Sequence, residues 1–221
     1  MASSVNARVA CDGDQAVFYK EFLPRGPLEA LKALFRGSRA TRARQQNDAL
    51  LSAGFQAPTN LAWGKLPGVR EYLFSTAVSG AGVTEWLREK LTQRSGDALL
   101  LRRELLCSLG SFIGRLHAAG FIHGDLRTSN VLAQRYKDEF NFSLIDNERN
   151  ICKQPAPGRG MLRNLMQLNM LLPSDITRTD RMRFFIYWQR EMTDLSPLEA
   201  KILGGRSYQW AMARLGAKNK L

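Results

Sequence analysis

One carboxylate at Asp125, an amide five positions on at Asn130 and a second carboxylate at Asp146 are the groups of this chain whose types and order suit group-transfer chemistry. They sit in His123-Gly124-Asp125-Leu126-Arg127-Thr128-Ser129-Asn130-Val131-Leu132 and, after a polar stretch, Leu144-Ile145-Asp146. The chemistry this order suits is phosphoryl transfer. A loop Asp accepts the proton of the attacking hydroxyl, while an Asn of the same loop and an Asp after the next hairpin hold Mg²⁺ on the nucleotide phosphates. Mg²⁺ takes few protein oxygens and keeps several waters, so one amide and one carboxylate suffice. Arg127 supplies a cation for the charge of the phosphoryl group in flight. His123 reads as a prop that holds the loop through hydrogen bonds, without a catalytic role. A single Asp or Asn near a turn generally serves turn chemistry; the ordered set is what carries the functional reading.

These groups need elements to hold them. Leu105, Leu109, Phe112, Ile113 and Leu116 recur at helical spacing and end at His117-Ala118-Ala119-Gly120, which predicts a buried helix with a glycine stop that delivers the loop. Val131-Leu132 and Phe140 to Ile145, joined by the polar Gln134 to Glu139, predict a β-hairpin with Asp125 and Asp146 at its opposite ends. Val17-Phe18-Tyr19-Lys20-Glu21-Phe22 predicts a strand, on which Lys20 by itself reads as an edge lysine facing solvent. Ser75 to Val83 is small and Gly-containing, between a strand pattern and the helical Thr84-Glu85-Trp86-Leu87. It is read as a hinge or as an ordinary strand-to-helix loop. The organisation expected is one catalytic unit with an N-terminal lobe at 1–78 and a helical lobe at 79–221.

Composition narrows the partners. At 221 residues and 44% apolar content the chain can bury a substantial core. Its net charge of +12, from 32 Lys and Arg against 20 Asp and Glu, favours polyanions. No zinc-finger spacing, RNP aromatics or bZIP pattern is present, so no specific nucleic-acid partner is expected. An anionic membrane surface answers the charge equally well, since each juxtamembrane basic residue adds about 1 kcal/mol of attraction. Arg25, Lys32, Arg36, Arg39, Arg42 and Arg44, interleaved with Leu28, Leu31, Leu34 and Phe35, form a candidate membrane-surface helix; Arg206, Arg214, Lys218 and Lys220 form a second basic cluster. The alternative for either cluster is a solvated face. No apolar run approaches a membrane span, and the first twenty residues have no core suited to a signal peptide, so a cytoplasmic location is expected. Cys11, Cys107 and Cys152 are odd in number and far apart, and only two histidines are present. That pattern argues for reduced thiols and against a disulfide framework or zinc ribbon.

The stretch HGDLRTSNVL followed by LIDNERN resembles the lipopolysaccharide kinase family, which phosphorylates Kdo or heptose in the inner core. Val17 to Phe22 looks like the family's Lys-bearing strand, Ser38-Arg39-Ala40 and Ala53 to Pro58 like its helix and following turn, and Tyr72 to Thr76 like the strand entering the hinge. Arg163 to Leu168 and Arg183 to Trp188 look like its C-terminal helices. The resemblance implies an α+β, protein-kinase-like two-lobe fold, with a small β-rich N-terminal lobe and a mostly helical C-terminal lobe. It implies ATP and Mg²⁺ as cofactors, Lys20 on the nucleotide's α- and β-phosphates, Asp125 as catalytic base with Arg127 beside it, and Asn130 and Asp146 as metal ligands. It further implies the inner-core glycolipid as substrate and a location peripheral to the cytoplasmic face of the inner membrane. Arg159, Arg163 and Arg178 are candidates to contact an anionic sugar, or are simply surface residues.

Two departures from the kinase pattern stand out. Only sixteen residues precede Val17, too few for a full Gly-rich loop, so the phosphate lid is minimal or absent or the natural chain begins upstream of Met1. Residues 30–53 contain no Glu to pair with the strand lysine; Asp48 is the one acid there, and Gln45 and Gln46 are neutral candidates. Two other readings therefore stand beside the leading one: an aminoglycoside- or choline-type phosphotransferase, whose loop also runs His-Gly-Asp with Asn five residues on, and a catalytically impaired pseudokinase that acts as a binding module.

Overall fold

Alternating strand residues build a four-stranded antiparallel sheet from β1 (Ser4–Ala10), β2 (Ala16–Phe22), β3 (Asn60–Leu66) and β4 (Arg70–Thr76), in the order β1-β2-β4-β3. The computed structural model describes residues 4–10, 16–23, 37–67, 70–156 and 158–218. Asp12-Gly13-Asp14, which reads in the sequence as a turn, and the whole Arg25–Arg36 part of the basic stretch lie outside the described residues. Strand β2 is internal, between β1 and β4. Its period-2 alternation puts Lys20 on the face of Phe22 and opposite Leu73. That face is covered by α1 (Arg39–Ser52), whose Ala40 and Ala43 complete a small core with Phe22 and Leu73. Ser38 caps α1 by accepting from the Thr41 amide at 3.1 Å.

Two compact units result, Met1–Val78 with Leu144–Arg149, and Ser79–Ser143 with Asn150–Leu221. In the second, α2 (Gly96–Ala118) carries the periodic Leu105, Leu109, Phe112, Ile113 and Leu116, all buried as the spacing predicts. It stops with Gly120 in the left-handed region at φ 85°, a conformation open to glycine at little cost. After β5 (Ala81–Gly82) and a short helical stretch, Val83–Glu85 widening into a π-turn at Trp86–Lys90, the chain enters α2. Strand β6 (Phe121–Ile122) follows, then the loop, then β7 (Val131–Tyr136) and β8 (Glu139–Leu144). The hairpin turn is tighter than the polar stretch suggests: Lys137 and Asp138 alone make it, both at positive φ, as a two-residue type I′ turn requires. Phe142 of the hairpin stacks on Phe112 of α2 with ring centroids 5.2 Å apart.

Strand β9 (Ile151–Cys152) pairs with β6, and three helices complete the unit: α3 (Gly158–Leu168), α4 (Arg178–Glu191) and α5 (Pro197–Gly216). Helices α2 and α4 pack with almost no spacing at Gly110 and Gly114. A Cβ at Gly110 would lie 2.3 Å from the Phe184 carbonyl oxygen, and one at Gly114 2.6 Å from Glu191 Cβ. Arg102, 1% exposed, ties four segments: it donates to Asp180 at 3.1 Å, to the carbonyls of Leu91 at 2.9 Å and Leu87 at 3.3 Å, and to that of Asp175. Among the described residues no helix is long and apolar enough to cross a membrane.

Candidate active site

In the smaller unit, Lys20 pairs with Asp146 and reaches Glu148 at 3.8 Å. Its side chain is 21% exposed and also lies over the Phe22 ring, so it is not the solvent-facing edge lysine of the alternative reading. Asp146 is presented by a tightly held turn. Leu144 donates its N–H to the Gln56 carbonyl at 2.9 Å, and Asn147 Nδ2 donates to the Leu144 carbonyl and to Asn47 Oδ1 of α1, each at 2.9 Å. Asp146 itself adopts φ 63°, a left-handed conformation that Asp tolerates better than most residues and that recurs at functional sites.

No spacing along the chain marks Glu148, the acid that stands near Lys20 where residues 30–53 offer no Glu. Arg39 of α1, 6% exposed, donates through Nη2 to both Glu148 carboxylate oxygens, at 2.8 and 3.0 Å, a charge-assisted pair. The helix thus contributes a cation, and the acids beside Lys20 come from the Asp146-Asn147-Glu148 turn. Asp48 is engaged elsewhere, accepting from Asn60 at 2.8 Å. Arg39 is consequently removed from the basic surface that the sequence suggested; Arg44 stacks over the Trp63 ring at 4.4 Å.

In the larger unit the loop carries Asp125, Arg127 and Asn130 together. His123, 1% exposed, does prop it: Nδ1 accepts the Asp125 amide at 3.0 Å. Gly124 N–H donates to Asn150 at 3.0 Å, and Leu126 N–H to Gln167 at 3.0 Å. Asn130 Nδ2 donates to the Asp125 carbonyl at 2.9 Å. That bond identifies Nδ2 as the donor and leaves Oδ1 as the acceptor atom that a hard cation would need. Asp125 Oδ1 accepts from Arg127 Nε at 3.0 Å and from Gln167 Nε2 at 2.9 Å. Oδ2 has no hydrogen-bond partner among the described residues, and the side chain is 28% exposed. Arg127, 67% exposed, is free to swing from Asp125 to a more highly charged partner.

Two further residues of this site, Asn164 and Gln167 of α3, had no assigned role in the sequence, although they fall three apart on a helix whose Met161, Leu165 and Leu168 are buried. Amides on an apolar stripe are the signal that marks them. Asn164 Nδ2 donates to the His123 carbonyl at 2.7 Å and its Oδ1 accepts from the His123 amide at 3.0 Å. Of the candidate sugar-binding arginines, Arg159 and Arg163 are exposed. Arg178 lines a cavity of about 550 Å³ among α3, α4 and α5, together with Lys201, Leu165, Met182 and Phe185. Among the described residues no cluster of His, Cys, Asp and Glu forms a transition-metal site. Asn130 of the larger unit and Asp146 of the smaller unit each carry a hard oxygen of the type Mg²⁺ takes.

Comparison with known proteins gives the fold and the family. The chain is similar to WaaP in complex with acyl carrier protein (TM-score 0.63, 22% identity, covering 98% of this chain and 83% of that one). It is also similar to an aminoglycoside-3'-phosphotransferase of type VIII (0.56, 13%, 96% and 94%) and to the bifunctional kinase-methyltransferase WbdD (0.50, 20%, 88% and 42%). These likenesses establish the α+β, protein-kinase-like fold. No curated protein sequence matches the chain. The family model for the lipopolysaccharide kinase (Kdo/WaaP) family matches residues 29–188, which span the α1 helix, the loop and most of α4. The chain therefore belongs to the lipopolysaccharide kinase (Kdo/WaaP) family, and it is a phosphotransferase with an alcohol group as acceptor.

Proposed function

We propose that the protein is an ATP- and Mg²⁺-dependent kinase that phosphorylates a hydroxyl of Kdo or heptose in the lipopolysaccharide inner core. The observation that carries this reading is the state of Asp125: a carboxylate with one oxygen tied down by two N–H donors and the other without a protein partner among the described residues. Such a group can take the proton of an acceptor hydroxyl while keeping its orientation. Asn130 and Asp146 are the candidate ligands of Mg²⁺, which when bound would gather the phosphates and offset their charge. Lys20, already among carboxylates, is the candidate cation for the nucleotide's α- and β-phosphates, and Arg127 for the transferring group.

The +12 charge supports a role at an anionic, glycolipid-bearing surface, on the cytoplasmic face of the inner membrane. WaaP was captured with acyl carrier protein, which makes that protein a partner to test for this chain. The experiment that tests the function is incubation with Mg²⁺-ATP and each of three acceptors: dephosphorylated core oligosaccharide, an aminoglycoside and choline. New sugar phosphomonoester signals in ³¹P spectra with the core oligosaccharide alone are expected. Transfer to the drug or to choline in its place would overturn the substrate assignment, and nucleotide binding without transfer to any acceptor would point to a pseudokinase.

A further inference from the structure

Trp188, His117, Asn164, Gln167 and Asp125 form one continuous hydrogen-bond chain from α4 to the catalytic loop, and its direction can be worked out atom by atom. Indole Nε1–H can only donate. It meets His117 Nδ1 at 3.0 Å, so that nitrogen is bare and, in the neutral ring, Nε2 carries the hydrogen. Nε2 then donates to Asn164 Oδ1 at 3.2 Å. The His123 backbone N–H reaches the same oxygen at 3.0 Å, which assigns the Asn164 amide independently. Asn164 Nδ2 consequently faces the His123 carbonyl at 2.7 Å and Gln167 Oε1 at 3.3 Å. A second backbone donor, the Leu126 N–H, reaches Gln167 Oε1 at 3.0 Å. Gln167 is left one orientation, with Nε2 donating to Asp125 Oδ1 at 2.9 Å.

Burial makes this order rigid. Trp188 and Asn164 are 0% exposed and His117 is 1% exposed, so no water competes for these bonds and a reversed amide would leave buried groups unpaired. Burial also holds His117 in its neutral form, with a pKa lowered to about 4. Arg127, the other donor to Asp125 Oδ1, is long and solvent-exposed, and it can leave during turnover. Gln167 cannot.

We propose that Gln167 is the positioning residue of the catalytic Asp125: it reserves Oδ1 as a fixed acceptor, so that Oδ2 is the oxygen that takes the proton from the acceptor sugar. In the step this serves, the hydroxyl oxygen forms its bond to the γ-phosphorus as its proton passes to Oδ2. The bond from that phosphorus to the bridging oxygen breaks, and the electron pair leaves on the nucleoside diphosphate. This rests on the kinase reading above. A carboxylate rotated off its line disturbs the transition state more than substrate binding, so the loss appears in kcat.

The test uses Gln167→Met, which removes the donor at similar volume, and Gln167→Glu. Gln167→Met should lower kcat about 100-fold with little change in the KM for ATP and no loss of cooperative thermal unfolding. Gln167→Glu can donate only when its new carboxyl is protonated, so its kcat should recover relative to Gln167→Met as pH falls. Equal kcat in wild type and Gln167→Met, or pH profiles of the two variants that run parallel, would overturn the proposal. An activity-free readout keeps this apart from the kinase assignment: the side-chain NH₂ resonance of Gln167, identified by its loss in Gln167→Met, should shift in Asp125→Ala. If it does not shift, Gln167 does not hold Asp125, whatever the reaction is. If it shifts while the wild type transfers phosphate to no acceptor, the positioning bond stands and the kinase reading is what fails.

Discussion

Acidification should weaken the fold through His117 alone by about 3 kcal/mol between neutral pH and pH 4. The ring is 1% exposed, and burial lowers its pKa from 6.5 to about 4, partly opposed by the hydrogen bond to Asn164. Within that window the unfolded chain binds a proton at this residue that the native chain refuses. The difference in bound protons is therefore positive, and stability rises with pH and is lost on acidification. Each pKa unit is worth about 1.4 kcal/mol, which gives about 2 kcal/mol lost by pH 5 and about 3 by pH 4. His117→Gln keeps a donor for Asn164 and an acceptor for Trp188 without a titratable ring. The assay is urea unfolding followed by tryptophan fluorescence, for wild type and His117→Gln, at pH 7.5, 6.5, 5.5 and 5. Contributions from carboxylates are common to both chains and cancel in the difference. The stability advantage of wild type over the variant should shrink by about 2 kcal/mol from pH 7.5 to pH 5. Two curves that stay parallel across that range would refute the reasoning.

Three substitutions test the framework around the site. Arg102→Met takes the buried cation from the Asp180 carboxylate, which keeps the Thr177 N–H and Arg183, and takes the same donor from three carbonyls; it should cost about 3 to 5 kcal/mol in urea unfolding, and a loss under about 1 kcal/mol would contradict the hub role. Gly110→Ala forces apart α2 and α4, where the added Cβ would sit 2.3 Å from the Phe184 oxygen, and should lower stability by about 1 to 3 kcal/mol or more. Arg39→Met removes the Nη2 donor that both Glu148 oxygens share and should speed hydrogen exchange at Leu144–Arg149 on the order of 100-fold, while amides of α2 keep their protection.

The parts of this molecule that are written locally could be read from the chain. The α2 helix, its stop at Gly120, the β7–β8 hairpin and the strand bearing Lys20 each follow from short-range periodicity and turn chemistry. Other parts depend on partners distant in sequence. Strand β3 leaves Leu61 and Trp63 about half exposed, so it lacks the buried alternation that marks a strand. Helix α5 does carry a local signature, Ser196 and Glu199 in a capping box with Pro197 at the first turn, but its largely exposed residues gave no apolar stripe to follow. Glu148 became meaningful only once Arg39, more than a hundred residues earlier, was placed beside it. Asn164 and Gln167 are polar residues whose partners are backbone groups of a loop some forty residues upstream, and spacing along the chain does not encode such bonds.

The most direct measurement of the central claim is phosphoryl transfer by Asp125→Ala under single-turnover conditions, with Mg²⁺-ATP and dephosphorylated core oligosaccharide, beside nucleotide affinity measured separately. Transfer reduced to background, with nucleotide binding and cooperative unfolding like those of wild type, is the result expected of a chain whose Asp125 receives the hydroxyl proton. Phosphorylated oligosaccharide formed by Asp125→Ala at the wild-type rate would contradict the account.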